Sequence, residues 1–290
     1  MRSIHKALSA LSLGLIALAS HAAPCTTTSW QITHAAPSTT SLPALTAPLA
    51  PVGPISATSC YGVIGGNNDG GGIQDGSAPN LGYRFDGLLN GEGGLVSPTQ
   101  FISASQLQNL QGLGAIDPGW IMLGRMDKKN SGELTYANVQ PAGGPAFSIG
   151  DVVKYTQQVV ANPTNSKVLG GTWLLQVDMN IVQKLEAAGL FQRSFFDHLA
   201  FSVKAGNGWA IYDFDFNQLS GFDLDTPYTI QGTWTMNCDF CNSNGNGQDI
   251  SHIAVWARDP ISTLQVPEPG SLALLGLGLA GLAAVRRRRA

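Results

Sequence analysis

The residue types able to do chemistry are few and scattered. Asp213 with Asp215, and Asp223 with Asp225, alternate in a way that puts each pair of carboxylates on one face of a strand or loop. Such a pair can bind calcium or work as acid and base; it equally describes a solvated face, and this is the reading the surrounding residues favour. Beyond the first 22 residues the histidines are His34, His198 and His252, and neither G-x-S-x-G nor H-E-x-x-H occurs. No catalytic residue is therefore assigned, although a site assembled from distant residues leaves no local motif. Asn242, Asn244, Asn246 and Gly247 imitate the start of a calcium loop, but its twelfth position is Ile253, so the bidentate acid is missing. These residues read as turns, and no metal ligand or cofactor is assigned. Gly276, Gly278 and Gly281 match G-x-G-x-x-G formally, without the preceding strand or following acid that a dinucleotide site needs.

Four cysteines remain: Cys25, Cys60, Cys238 and Cys241. An even number in an exported chain favours disulfides, and of the three possible connectivities Cys25–Cys60 with Cys238–Cys241 is preferred. Cys238-Asp239-Phe240-Cys241 also fits a redox C-x-x-C or half of a zinc site. A redox motif wants a helix starting after the first cysteine, and zinc wants a second close pair. Five tryptophans, Trp120, Trp173, Trp209, Trp234 and Trp256, could stack on sugar rings if exposed. Alternation places Trp173 and Trp234 in the core instead.

Period-two patterns position these residues. Tyr228, Ile230, Gly232, Trp234 and Met236 alternate with polar residues, and Trp173, Leu175, Val177 and Met179 alternate with Leu174, Gln176 and Asp178. Leu199, Phe201 and Val203, and Tyr212, Phe214 and Phe216, follow the same period, while Ile253, Val255 and Ala257 suggest a further strand. Residues 120–126 and 134–139 read as a hairpin. One short helix is expected over 180–188, capped by Asn180 and ended by Gly189. Gly171-Thr172-Trp173 recurs as Gly232-Thr233-Trp234, without enough copies to make a repeat. The fold class is all-β: an antiparallel β-sandwich, jelly-roll-like, with one short helix, plus an N-terminal signal helix and a C-terminal apolar helix.

The two ends concern location. Residues 1–22 have a basic start at Arg2 and Lys6, an apolar stretch over 7–19, and small residues before a cleavage point after Ala22, with Ala19 competing. This is a secretory signal peptide; the alternative is an uncleaved anchor. Residues 23–58, punctuated by Pro37, Pro43, Pro48, Pro51 and Pro54, form an extended, partly mobile segment, and 59–263 the ectodomain. Setting aside Arg2, Lys6 and the four terminal arginines from 16 basic residues, and Glu268 from 19 acidic ones, leaves the exported part near −8. That charge argues against nucleic acid and anionic lipid and suits solubility outside the cell; calcium is a weaker expectation.

Over 264–290 come Pro267-Glu268-Pro269, an uncharged run of 14 residues at 272–285, and Arg286, Arg287, Arg288 and Arg289. As a helix the run spans about 21 Å, short for a bilayer core of about 30 Å. The arginines snorkel to headgroups and hold that end in the cytoplasm. This order closely resembles the PEP-CTERM sorting signal. The resemblance implies an exosortase-type, cysteine transpeptidase-like partner and transient anchoring in the inner membrane. It further implies release of the tail and delivery to the cell surface or an exopolysaccharide matrix of a biofilm-forming bacterium. Gly-Thr-Trp strands and Ser251-His252-Ile253 resemble the β-rich ectodomains often joined to such tails, which share no activity. The function expected is a surface or matrix-associated, non-enzymatic protein that associates with exopolysaccharide; a secreted polysaccharide hydrolase and a calcium-dependent adhesin are the alternatives. Replacing Pro267, Glu268 and Pro269 together by alanine is expected to leave an uncut, inner-membrane form, read by fractionation and intact mass. A native protein still ending in Ala290 in an exosortase-bearing host contradicts the processing.

Overall fold

The computed structural model describes residues 25–42, 49–65, 79–127, 134–161, 168–188, 190, 196–206, 208–235, 238–240 and 250–260. The strands are β1 (Trp30–Pro37), β2 (Ala50–Ser56), β3 (Ser59–Gly65), β4 (Trp120–Asp127), β5 (Thr135–Tyr136), β6 (Asn138–Val139), β7 (Phe147–Ser148), β8 (Val153–Ala161) and β9 (Val168–Val177). After helix α1 (Ile181–Ala187) come β10 (His198–Ala205), β11 (Gly208–Asp215), β12 (Tyr228–Thr235) and β13 (Ile250–Arg258). They make a five-stranded sheet, β2-β1-β12-β9-β8, and a six-stranded sheet, β3-β11-β10-β13-β4-β5, with β6 and β7 paired apart. Every strand pair is antiparallel. The protein is the all-β antiparallel sandwich expected from its alternating strands. The signal and tail helices lie outside the described residues. The segment read as a Pro-rich connector supplies β1 and β2, and β1 lies beside β12 inside a sheet.

The interior is set by a reciprocal crossing. β9 and β12 align so that Trp173 faces Gly232, Thr172 faces Thr233, and Gly171 faces Trp234. Directly opposed residues share a sheet face, so each indole lies where the opposing residue's side chain would stand. A Cβ on Gly232 would run into the Gln31 carbonyl and the Trp173 ring, and one on Gly171 would run into the Gln158 carbonyl and come within 3.0 Å of the Trp234 indole nitrogen. The recurring Gly-Thr-Trp is thus one packing device used twice across an antiparallel pair. Trp30, opposite Trp234 on β1, stacks on it at 5.7 Å and on Phe201 of the facing sheet at 4.4 Å; Trp173 lies 5.0 Å from Phe201.

The six-stranded sheet is buried on both faces, which the alternation did not reveal. Leu199, Phe201, Val203, Tyr212, Phe214, Ile253 and Val255 face the other sheet. Ala200, Ile211, Trp209, Ala254, Trp256, Trp120 and Met122 face a second apolar layer built from Leu88, Leu89 and Val96. That layer is residues 79–119, three short 3-10 turns joined by loops. Its backbone is pinned by side chains. The Asn80 amide donates to the Met122 carbonyl at 2.9 Å and its oxygen accepts the Met122 N–H at 2.9 Å. Asn90 does the same for Trp120, at 2.7 and 3.1 Å. β4 meets β5 only at Gly124 and Arg125, so the two asparagines satisfy β4 edge groups that no strand reaches.

Of the hairpin expected over 120–126 and 134–139, β4 and β5 pair at Gly124–Tyr136 and Arg125–Thr135, while residues 138–139 pair with β7 instead. The helix also occurs, but Asn180 makes no side-chain cap. Buried Asp178 takes that place: it accepts the Asn180 N–H at 2.8 Å, the Leu42 N–H at 3.0 Å and the Lys184 ammonium at 2.8 Å. Burial alone would push its carboxyl up, yet these donors hold it below its ordinary value. The alternation through Met179 therefore stops at Val177, and Met179 is exposed. Cys25 and Cys60 are bonded, with Cα atoms 6.1 Å apart and a sequence separation of 35. Closing a loop of that length constrains the unfolded chain by about 4 kcal/mol in the chain-entropy picture.

The crossing gives a direct test. Gly232→Ala is expected to lower the unfolding free energy by about 1–3 kcal/mol through overpacking. Thr233→Ala, on the opposite face, should stay within about 0.5 kcal/mol. Denaturant unfolding of both variants measures the difference, and equal effects would remove the role given to the crossing.

Candidate functional site

The titratable residues converge at one end of the six-stranded sheet. His198 opens β10 and stands between Asp215 on β11 and Arg258 at the end of β13. Asp213, two residues from Asp215, shares its face. His198 Nδ1 lies 3.0 and 3.1 Å from the two Asp213 carboxylate oxygens. Its Nε2 lies 3.9 Å from Asp197 and 3.7 Å from Asp215, too long for hydrogen bonds, and has no hydrogen-bond partner. Arg258 donates through Nη1 to Asp197 at 2.6 Å, through Nε to the Pro118 carbonyl at 2.9 Å and through Nη2 to the Gln106 carbonyl at 2.8 Å. The Trp120 ring meets His198 edge-on at 5.5 Å. The Thr58 hydroxyl donates to the Asp213 carbonyl and accepts the Asp215 N–H. The network thus joins β10, β11, β13, the lead into β3 and the covering loops.

Burial and mutual charge set its titration. Burial pushes His198 down, but its bond to Asp213 and the charges of Asp213, Asp197 and Asp215 overcome this and raise it above its ordinary 6.5. Burial raises Asp213 and Asp197, with His198 opposing in both and Arg258 opposing at Asp197. Burial lowers Arg258, offset mainly by Asp197. An imidazole held by a carboxylate is the geometry of an oriented general base. Here the free nitrogen faces two further carboxylates and the ring is 1 % exposed. Among the described residues no serine, threonine or cysteine is bonded to that nitrogen.

The structure revises the reading of Asp213. It is buried against His198, because residues 79–119 cover the face of β11 that would otherwise meet water. Asp223 and Asp225 stay exposed in a turn, where Asp223 accepts the Asp225 N–H at 3.2 Å and the Thr226 hydroxyl at 3.1 Å. His34 and His252 lie away from His198, on β1 and at the far end of β13. Trp173 and Trp234 are in the core as expected. Trp120, Trp209 and Trp256 are buried too, at 1, 3 and 0 % exposure, so none of the five offers a sugar-stacking face. Cys241 and the asparagine run 242–247 lie outside the described residues, as do Ala22, Pro267, Glu268, Pro269 and the four terminal arginines. Within the C-x-x-C, Asp239 has a role that spacing did not suggest. It accepts from the Thr26 N–H and hydroxyl, the Ser29 hydroxyl and the Tyr212 hydroxyl, anchoring the chain next to Cys25.

A second feature is an apolar cavity of about 110 Å³ between the sheets beside α1, lined in part by the loop of residues 216–227. Phe216, Phe222 and Tyr228 line that loop in successive ring contacts of 5.2 Å.

The described body is thus an antiparallel β-sandwich that includes a Cys25–Cys60 disulfide. Residues 265–289 match the PEP-CTERM protein-sorting motif. No curated protein and no solved structure matches the chain. The protein is therefore an exported one, recognised by an exosortase-type enzyme and sorted at the membrane towards the cell surface.

Native His198 and Asp213 both hold protons more tightly than they would unfolded. The His198 contribution is fully present below about pH 6.5 and is lost as pH rises through its raised folded-state value, whereas that of Asp213 is fully present only below about pH 3.8 and is lost as pH rises through its own raised value. Urea midpoints are expected to fall from pH 6 to 9, and His198→Gln should flatten the fall. A profile identical in the two proteins would contradict the assignment.

Proposed function

We propose that the ectodomain is a non-enzymatic structural body, displayed at the cell surface or within the exopolysaccharide matrix once the sorting tail has been processed. The observation that carries this reading is the burial of the acid–imidazole cluster around His198. His198, Asp213, Asp197 and Arg258 are each at most 2 % exposed and are committed to one another or to loop carbonyls. A hydrolase acting on a polymer needs its carboxylates in an open cleft on either side of the scissile bond, and this cluster sits beneath Trp120 and the covering loops. With the tryptophans inside the core, contact with exopolysaccharide falls to hydrogen bonds from surface side chains, which suits a protein embedded among glycans rather than one gripping a single chain.

The test is incubation of the purified exported protein with exopolysaccharide from an exosortase-bearing host. No release of reducing ends above blank is expected, for either the native protein or His198→Gln. Release that His198→Gln abolishes would establish the hydrolase instead. Calcium-dependent adhesion of cells coated with the protein would establish the adhesin.

A further inference from the structure

We propose that the cavity beside α1 is a binding site for a small, neutral or cationic apolar molecule: one aromatic ring or a short aliphatic chain carrying a hydroxyl or an amine. Its walls are Leu175 of β9, Ile181 and Leu185 of α1, Ile230 of β12, and Phe196 and Phe222 from the flanking loops. A volume of about 110 Å³ is somewhat below the roughly 150 Å³ of an engineered apolar cavity that admits benzene, so the ligand body is limited to about that size. Interiors close-pack and leave few voids larger than a water molecule. This one persists because its walls are held from outside. The Asp178–Lys184 contact fixes α1, the Phe216–Phe222–Tyr228 contacts fix the loop, and the tryptophan crossing fixes β9 against β12.

The polar groups of the cavity select the head of the ligand. Asp223, Asp259, Thr226 and His198 line it, and among the described residues no lysine or arginine does. Asp223 is exposed, and its carboxylate can accept a further donor beyond the Asp225 N–H and Thr226 hydroxyl. A hydroxyl or ammonium on the ligand finds an acceptor there. A ligand carboxylate would meet the Asp223 and Asp259 carboxylates, and among the described lining residues the one group able to carry positive charge, His198, is already matched by Asp213, Asp197 and Asp215. Fatty acids and other anionic amphiphiles are thereby disfavoured.

The test uses the full exported protein with three probes sharing one ring: benzyl alcohol, benzylamine and benzoate. Methyl NMR is expected to show saturable one-to-one shifts for the alcohol and the amine at Leu175, Ile181 and Ile230. Leu88 and Val96, in the outer apolar layer, should not move. Benzoate should bind at least about tenfold more weakly, a difference of about 1.4 kcal/mol. Leu185→Trp fills the space and should abolish the shifts; if that variant does not fold, Ile181→Phe serves the same purpose. Absence of saturation with all three probes, equal shifts in both apolar layers, or benzoate binding as tightly as the alcohol would each overturn the proposal.

Discussion

The packing of two indoles against two opposing glycines governs the rest of this sandwich. Large aromatic side chains each bury on the order of 150–250 Å², and a sheet face has room for several only where neighbours retreat. Gly171 and Gly232 supply that room on facing strands, so Trp173 and Trp234 lie across the sheet rather than standing up from it. The flattened surface lets Trp30, Phe201 and Phe214 close over it from both sheets. A slip of one residue between β9 and β12 would set Thr172 against Trp234 and turn one strand's inward face outward. The triplet therefore specifies register as well as volume.

A second constraint follows from covering the six-stranded sheet on both faces. Polar groups on its outer face lose water and must be met from within. Residues 79–119 meet them with side chains rather than with regular secondary structure. Asn80 and Asn90 complete the edge of β4, and Asp117 accepts the N–H groups of Arg84 and Leu110 inside the loop itself. Arg258 reaches back to the Pro118 and Gln106 carbonyls. Removing one partner from such a set strands a buried group at a cost of roughly 1–3 kcal/mol. The His198–Asp213 pair belongs to this scheme: it holds the ends of β10 and β11 together beneath the same cover.

What could be read from the sequence follows from these two constraints. The strands with one polar face, β9 and β12, show their period plainly, and the tryptophans they carry fall inside as the period demands. β10, β11 and β13 show it on one face only. Their other faces hold Ala200, Ile211, Ala254 and Trp256, too apolar for water, and that was the available sign of a second layer. Reading Asp213 and Asp215 as a solvated pair followed from treating β11 as one-sided. The cover itself has no period, because its order comes from single asparagines and aspartates bonding to backbone far away in sequence. The convergence of His198, Asp197, Asp213 and Arg258 depends on strand order β11-β10-β13, which local pattern does not reveal. The Gly-Thr-Trp recurrence was visible as letters; its meaning required knowing that the two copies pair antiparallel.

The same end of the sheet also determines how the body meets the sorting machinery. β13 ends at Arg258, and Pro267 of the matched motif follows nine residues later. Fully extended, that interval reaches at most about 30 Å. While the tail is engaged by the sorting enzyme, the end of the sandwich bearing Arg258, His198 and Trp120 is therefore kept within that distance of the motif. Arg258 there is 0 % exposed and bonded to Asp197 and to the Pro118 and Gln106 carbonyls, and Asp197 and Asp213 are buried with it. The internal pairing that buries His198, Asp213, Asp197 and Arg258 also ties β11, β10 and β13 together at the end of the body from which the chain runs on to the motif.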